Sequence, residues 1–582
     1  MKSFFKTVLA VILGLTIVIF LPIVFFGIFS GLSSEDSSYD VAENSILEID
    51  FKTPIVESYD DIQFSFTNFE PTDRLSFYSL LSAIQKAKED ENIKGISLKL
   101  NGNTTDYAQA QAIRNALLDF KSSNKFVYAY GNNLSQRDYY IGSVADSLFV
   151  SPLSNIELTG ISVEITFYKK LFDKLGIEYE IIKHGKYKSA VEPYFLEQMT
   201  PESKEQTQIL IDDIWKNLSS EMSQSRNLSI EQFNFLTDSL KAFNAKSALS
   251  ANLIDGIKYE DQYKKLIGID DTDKENVQKP IVSVSNYLLS IQKPFNKDQI
   301  AVIYASGAIT SGNKPDGIQD QNMIKKIRTA KNEPSVKAVV LRVHSPGGDV
   351  AAAERILHEL RLLQKEKPLI VSFGGVATSG GYYIAGAADT IVSSPNTITG
   401  SIGVFGAIPN VKKLAEKIGV TTDVTGTNAN ANLFSLLNGT TPKFREVIQE
   451  SIEDVYDLFL SNVAQNRKVS KAEIDSLAQG RVWSGVKAKE NGLVDVLGGL
   501  DTAITLAAEK AGIENFDLLE LPKKKSEFEL IMEMFGRKEG MEVETLIGEK
   551  LGPEIYNSYK EFDYFKNSGI IHLKTPYIIQ IK

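Results

Sequence analysis

The chain contains no cysteine, which excludes disulfides, a thiol nucleophile and a thiolate metal site. Histidine is scarce as well. The four, His184, His344, His358 and His572, are the whole supply from which a Ser-His-Asp triad could draw. Positive charge falls short of negative, 63 Lys and Arg against 74 Asp and Glu, for a formal net charge of −11. With no long basic run either, nucleic acid is not an expected partner. Long uncharged stretches are also rare, but Val8 to Phe29 is one, and it is as long as a bilayer-spanning helix needs. Pro22 is compatible with insertion. Lys2 and Lys6 precede this run and Glu35, Asp36 and Asp40 follow it, so the positive-inside rule places residues 1–7 in the cytoplasm and the remainder beyond the membrane. A cleaved signal peptide has a shorter apolar core, so a retained single-pass anchor over 8–29 is expected, followed by a Ser-rich tether over 30–44.

What the chain does have is a large internal repeat. An offset of 243 residues brings Ile93-Lys94-Gly95-Ile96 onto Val336-Lys337-Ala338-Val339 and Tyr139-Tyr140-Ile141 onto Tyr382-Tyr383-Ile384. The same offset pairs Ser151-Pro152 with Ser394-Pro395 and Lys174-Leu175-Gly176 with Lys417-Ile418-Gly419, all without a gap. A duplication is the economical account. Within each copy short apolar runs alternate with amphipathic helical patterns: Ile46–Ile49, a helix near 75–90, Ile96–Leu100, a helix near 106–121, then Phe126–Tyr130. The order βαβαβ predicts an α/β fold with a largely parallel sheet in each copy. The expected divisions are an N-terminal repeat over 45–285, a linker around 268–297, a C-terminal repeat over 298–520 and a charged, irregular extension over 521–582. No chemistry is assigned to that extension.

The two copies differ where chemistry would be. Ser345-Pro346-Gly347-Gly348 becomes Gly102-Asn103-Thr104-Thr105 in the first copy, and Ser379-Gly380-Gly381 becomes Gln136-Arg137-Asp138. Conversely Lys188, in Gly185-Lys186-Tyr187-Lys188-Ser189-Ala190, falls on Ala431 in the second. A glycine pair where a strand meets a helix lets backbone N–H groups face a ligand and hold an oxyanion. A serine at the start of a helix, followed by glycines, projects its hydroxyl from a turn, where the next amide can assist. A structural cap would persist in both copies, whereas Ser379 is replaced by Gln136 while the flanking Tyr-Tyr-Ile is kept. The serine needs a base. His358 reads as a solvated helix residue, His344 as part of the glycine turn, and His184 as a possible neighbour of the site. Lysine is the alternative, and Lys188 in its mostly uncharged stretch would have to be desolvated to serve, since a free lysine titrates near ~10.4.

Taken together, Tyr187-Lys188-Ser189-Ala190-Val191-Glu192-Pro193, Ser345-Pro346-Gly347-Gly348, Ala377-Thr378-Ser379-Gly380-Gly381-Tyr382 and Thr399-Gly400-Ser401-Ile402-Gly403 closely resemble the bacterial signal peptide peptidase SppA, or protease IV, in its long tandem-repeat form. The resemblance runs from the anchor to about residue 510. It implies two tandem Clp/crotonase-like repeats behind one N-terminal transmembrane helix, and a Ser/Lys serine protease with Ser379 as nucleophile and Lys188 as general base. The amides of Gly380 and of Gly347 or Gly348 would form the oxyanion hole, and Ser401 would hydrogen-bond the lysine. Thr378 stands where many relatives have alanine. The resemblance also implies signal peptides and other hydrophobic peptides as substrates, a homotetramer, and a place in the bacterial inner membrane with the catalytic part on the periplasmic side. No metal or organic cofactor is implied. The competing readings are a crotonase-like acyl-CoA enzyme, which would not need Ser379, and an inactive membrane scaffold, in which the serine and lysine would decay.

Overall fold

The computed structural model describes residues 39–58, 74–269, 281–291, 296–314, 317–522 and 571–574, together with Gly14. Apart from Gly14, the expected anchor lies outside the described residues, as do the cytoplasmic lead and most of the tether. Among the described residues no helix is long and apolar enough to cross a membrane.

Parallel pairing organises the first copy. Strands Ser45–Asp50, Ile93–Lys99, Phe126–Gly131 and Ser147–Val150 are adjacent in that order, and Gly256–Ile257 extends the sheet beyond the last. Helices Phe77–Glu89 and Tyr107–Lys121 make the crossovers. The second of these helices starts at Asp106, whose carboxylate accepts the N–H of Gln109 in a reciprocal cap. At the other edge Ile281–Ser283 pairs parallel with Ser45–Asp50, and the helix Val284–Ser290 follows it. Part of the stretch expected as linker therefore closes the first sheet, because Val282, Val284 and Tyr287 are apolar enough to join its core.

The second copy repeats the plan. Gln299–Ser306, Val336–Ser345 and Leu369–Thr378 pair in parallel, and Thr390–Ser393 and Ile398–Gly400 both continue from the last of these. Six consecutive residues of the first strand, Ile300–Ala305, are buried. A continuous apolar run of this kind marks a central strand covered on both faces. The helix Val350–Gln364 covers one of them: Asp349 caps it at Ala352 N, 2.7 Å away, and Ala353, Ile356, Leu357, Leu360 and Leu363 face inward at helical spacing.

The copies are locked together rather than tethered. Arg342 of the second copy donates from Nη2 and Nε to the Glu57 carboxylate of the first, at 2.8 and 3.0 Å, and both side chains are almost wholly buried. Burial pushes the Glu57 carboxyl up, but the Arg342 guanidinium, with smaller contributions from His344 and Gln109, outweighs this and holds it below the usual carboxylate value. A third, mixed sheet crosses the boundary: Glu178–Lys183 of the first copy pairs antiparallel with Phe405–Asn410 of the second, Lys183 opposite Phe405. That arm carries the following loop, and with it Lys188, into the second copy.

Candidate active site

Ser379 sits on the turn between the strand Leu369–Thr378 and the helix Gly380–Ile384. Its backbone, at φ 53° and ψ −114°, is in a region that side-chain-bearing residues rarely occupy. Such strain costs on the order of 1–3 kcal/mol and persists where the surroundings enforce it. Here Ser379 N donates to Gly400 O at 2.8 Å and Ser379 O accepts from Tyr383 N at 2.8 Å, so the elbow is pinned on both sides. The hydroxyl is thereby turned away from a capping role and toward the loop 185–190.

Lys188 enters from that loop. Its Nζ lies 2.8 Å from Ser379 Oγ, 3.0 Å from the Ser401 carbonyl oxygen and 3.1 Å from Ser401 Oγ. All three residues are completely buried. Burial alone holds the Lys188 amine well below the ordinary lysine value. A neutral amine has two N–H bonds and one lone pair. The Ser401 carbonyl can only accept, and Ser401 Oγ is 3.4 Å from the Gly480 carbonyl to which it donates. Both amine N–H groups are therefore drawn to Ser401, leaving the lone pair to receive the Ser379 hydroxyl proton.

The seat of the lysine is built from both copies. Gly480, at φ +81°, leaves room for Lys188, for a Cβ there would stand 2.6 Å from both Lys188 Cβ and Lys188 N. Gln206 Nε2 donates to Tyr187 O at 2.9 Å and to Ser189 Oγ at 3.1 Å, and Gln206 Oε1 accepts from Val482 N at 3.2 Å. It holds the residues on either side of Lys188 against the segment that bears Gly480.

The predicted glycines converge on the same place. A Cβ on Gly347, φ +95°, would lie 2.6 Å from Gly380 N and 2.1 Å from Leu573 O. One on Gly380 would stand 3.1 Å from Gly348 N and 3.1 Å from Leu573 O. So Gly347, Gly348, Gly380, Ser379, Lys188 and Ser401 are brought together, and the unexpected member is the end of the described chain. Ile571–Lys574, from the extension to which no chemistry was assigned, lies antiparallel between Gly347–Asp349 and Phe405–Asn410. The histidines go elsewhere: His184 Nδ1 is 2.6 Å from Glu453, His344 faces Asp106 at 3.6 Å, and His358 is exposed. His572 belongs to the terminal strand and lies against the Phe405 ring at 5.6 Å between centroids. Burial, with a smaller contribution from Lys574, lowers its pKa to about 3.

The corresponding place in the first copy is closed by its own side chains. Gln136 Oε1 accepts from Thr159 N and Gly160 N at 3.2 and 2.9 Å, while Gln136 Nε2 donates to Tyr107 Oη at 2.9 Å. Ala431, the counterpart of Lys188, is exposed. Sequence reasoning missed Gln206, Gly480, the Glu57–Arg342 pair and the terminal strand. A glycine shortly after a helix reads as an ordinary stop, and a four-residue strand among charged residues has no period long enough to register.

Known proteins of similar sequence are named as proteases. Protease 4 of Salmonella typhi is 38% identical over 465 residues, which cover 77% of this chain and 74% of that protein. The chloroplastic serine protease SPPA of Arabidopsis thaliana is 32% identical over 452 residues, covering 75% of this chain and 66% of that one. A solved structure of a ClpP1 mutant from Listeria monocytogenes aligns with 35% of this chain and 94% of its own at 14% identity and a TM-score of 0.24, too slight a likeness to bear on the fold. The protein is a serine protease. Within that class the profile of Peptidase family S49 matches residues 119–269 and 361–514, one segment in each copy, and the chain belongs to that family.

Proposed function

We propose that the protein is a membrane-anchored endopeptidase that degrades cleaved signal peptides and other hydrophobic peptides at the membrane, with Ser379 as nucleophile and Lys188 as general base. The contact of 2.8 Å between a fully buried amine from one copy and a fully buried hydroxyl from the other carries this reading. Ser379 Oγ attacks the peptide carbonyl while its proton passes to neutral Lys188, which hands it to the leaving amine; a water molecule then hydrolyses the acyl-enzyme. The amides of Gly380 and of Gly348 or Gly347 receive the developing oxyanion, and Ser401 aims the lysine lone pair. The first copy, 45–285, thus supplies the base, and the second, 298–520, the nucleophile and the oxyanion donors. The uncharged run over 8–29, with lysines before and acids after it, favours an inner-membrane anchor with the catalytic part on the periplasmic side. The resemblance to SppA favours a homotetramer.

The deciding experiment compares wild type with Ser379→Ala for turnover of a fluorogenic apolar peptide and for labelling by a fluorophosphonate. Wild type should do both and the variant neither. A variant that still cleaves at more than a few per cent of the wild-type rate would remove Ser379 from the mechanism.

A further inference from the structure

Gln479 holds a backbone conformation that suits glycine, and it keeps a side chain there. Its φ is +54°, in the left-handed region, and Gly480 follows at +81°. L-residues other than glycine are disfavoured at such angles, so a glutamine that persists in one points to a use for its side chain. Gln479 Nε2 donates to Asp475 Oδ1 at 2.7 Å and to Tyr456 Oη at 3.3 Å, and Gln479 N donates to the same Tyr456 Oη at 3.2 Å. Tyr456 Oη donates in turn to Asp475 Oδ1 at 2.5 Å. The hydroxyl's one proton and two lone pairs are thus all engaged, and the tyrosine that carries it is buried.

This anchor fixes the short segment 479–481, which runs between the lysine loop and the serine that orients the lysine. On one side Gln479 O accepts from Tyr187 N at 3.0 Å, and a Cβ on Gly185 would lie 2.5 Å from that same oxygen. On the other, Ser401 N donates to Arg481 O at 2.7 Å, Ser401 Oγ donates to Gly480 O at 3.4 Å, and Gly480 N donates to Ile402 O at 2.8 Å. The loop that bears Lys188 and the turn that bears Ser401 therefore take their spacing from one strip of backbone. Tyr456 also holds the entry to the loop. The His184 ring stacks on it with 3.8 Å between centroids, and His184 Nδ1 lies 2.6 Å from Glu453 Oε2 on the same helix, Pro442–Arg467.

We propose that Gln479, together with Tyr456 and Asp475, is a positioning device for the general base, acting on Lys188 through the backbone of 479–481 and Tyr187. The proposal rests on the Ser379–Lys188 reading and deepens it. The amine must meet Ser379 Oγ at 2.8 Å with its lone pair aimed by Ser401. A strip of backbone freed from Tyr456 lets that geometry drift, and a misplacement of about 1 Å can cost on the order of 100-fold in rate. Drift also admits water to the amine, which favours its charged form and raises the pH at which it can act as a base.

Gln479→Gly is the informative variant, because glycine accepts the backbone angles and only the side chain is lost. In the full chain, turnover of a fluorogenic apolar peptide should show kcat lowered at least about tenfold with KM nearly unchanged. The rising limb of the pH–rate profile should move to higher pH. The urea midpoint should stay near that of wild type, since relief of the left-handed strain offsets the lost hydrogen bonds. Tyr456→Phe keeps the ring on His184 and removes the hydroxyl, and should give the same split between kcat and KM and the same displacement of the profile. Wild-type kcat and pH profile in either variant overturn the proposal, as does a loss of rate that only follows the loss of folded protein. If Ser379→Ala is inactive while Gln479→Gly is fully active, the positioning role alone is refuted. If Ser379→Ala itself retains wild-type turnover, the proposed function is refuted with it.

Discussion

Replacing Lys188 by methionine keeps the reach of the side chain and removes its amine, and two separable effects follow. Peptide turnover should fall by about 10⁴-fold or more, because a general base contributes ~10²–10⁴ and a nucleophile and base that act as a unit fail together. The second effect is on stability. Burial holds the folded amine well below the ordinary lysine value, whereas the unfolded chain's lysine titrates near ~10.4. Between those two values the unfolded state binds one proton more than the native state, so wild-type stability rises with pH by about 1.4 kcal/mol per unit. The penalty for a buried neutral amine is thus full below the folded value and disappears as pH rises through the unfolded one. Methionine has no proton to bind, so the slope vanishes. Its loss of N–H partners for Ser401 adds a penalty of about 1–3 kcal/mol that does not change with pH. The difference between the two proteins, followed by urea unfolding from about pH 7 to about pH 10, should therefore move in favour of the variant as pH is lowered. Activity of the wild type should rise over the pH range in which Lys188 loses its proton. Parallel stability curves across the whole range would mean that Lys188 is charged in the native protein, and the base would have to be sought elsewhere.

Ser401→Ala removes one of the two groups that orient the amine, and should lower kcat by about tenfold with little change in KM, the worth of one hydrogen bond; an unchanged kcat would show that the Ser401 carbonyl suffices. Gly347→Ala places a methyl group on the path of the bound strand, at 2.1 Å from the carbonyl oxygen that lies there, and on a φ of +95°. Peptide turnover should drop at least about 100-fold, and full activity in this variant would mean that substrate takes another path. Arg342→Met leaves the Glu57 carboxylate buried, with Gln109 still donating to it, and should destabilise by about 3–5 kcal/mol in denaturant unfolding. Adding Glu57→Gln should recover much of that loss; if the double variant is no better, the charge pair is not what the single change broke.

Much of the site was legible because the duplication supplied its own control. Ser379 against Gln136, and Lys188 against Ala431, are contrasts between two copies of one fold, so positions kept for packing cancel and those kept for chemistry remain. The central strands were legible for a different reason: a run such as Ile300–Ala305 is buried on both faces and has few ways to read. What stayed hidden depends on contacts between distant segments. Nothing local marks Gln206 as the clamp on residues 187–189, since its partners lie in the loop before it and in Val482. Arg342 looks like an exposed-strand arginine until Glu57 is brought against it across the copy boundary. The terminal strand has four residues, and its pairing depends on two edges, Gly347–Asp349 and Phe405–Asn410, that exist only once the second copy has folded.

Ser379 and Lys188 are 191 positions apart, yet the lysine's seat is finished by residues still further along, at Gly480 and Val482. During synthesis, a chain that has extended past Ser379 still lacks the wall against which Lys188 must lie. On the proposed dyad, Ser379 gains its partner only with the last pieces of the second copy. The time taken to complete the chain would then act as a zymogen stage, and an interrupted or misassembled polypeptide would carry Ser379 with no seated amine beside it.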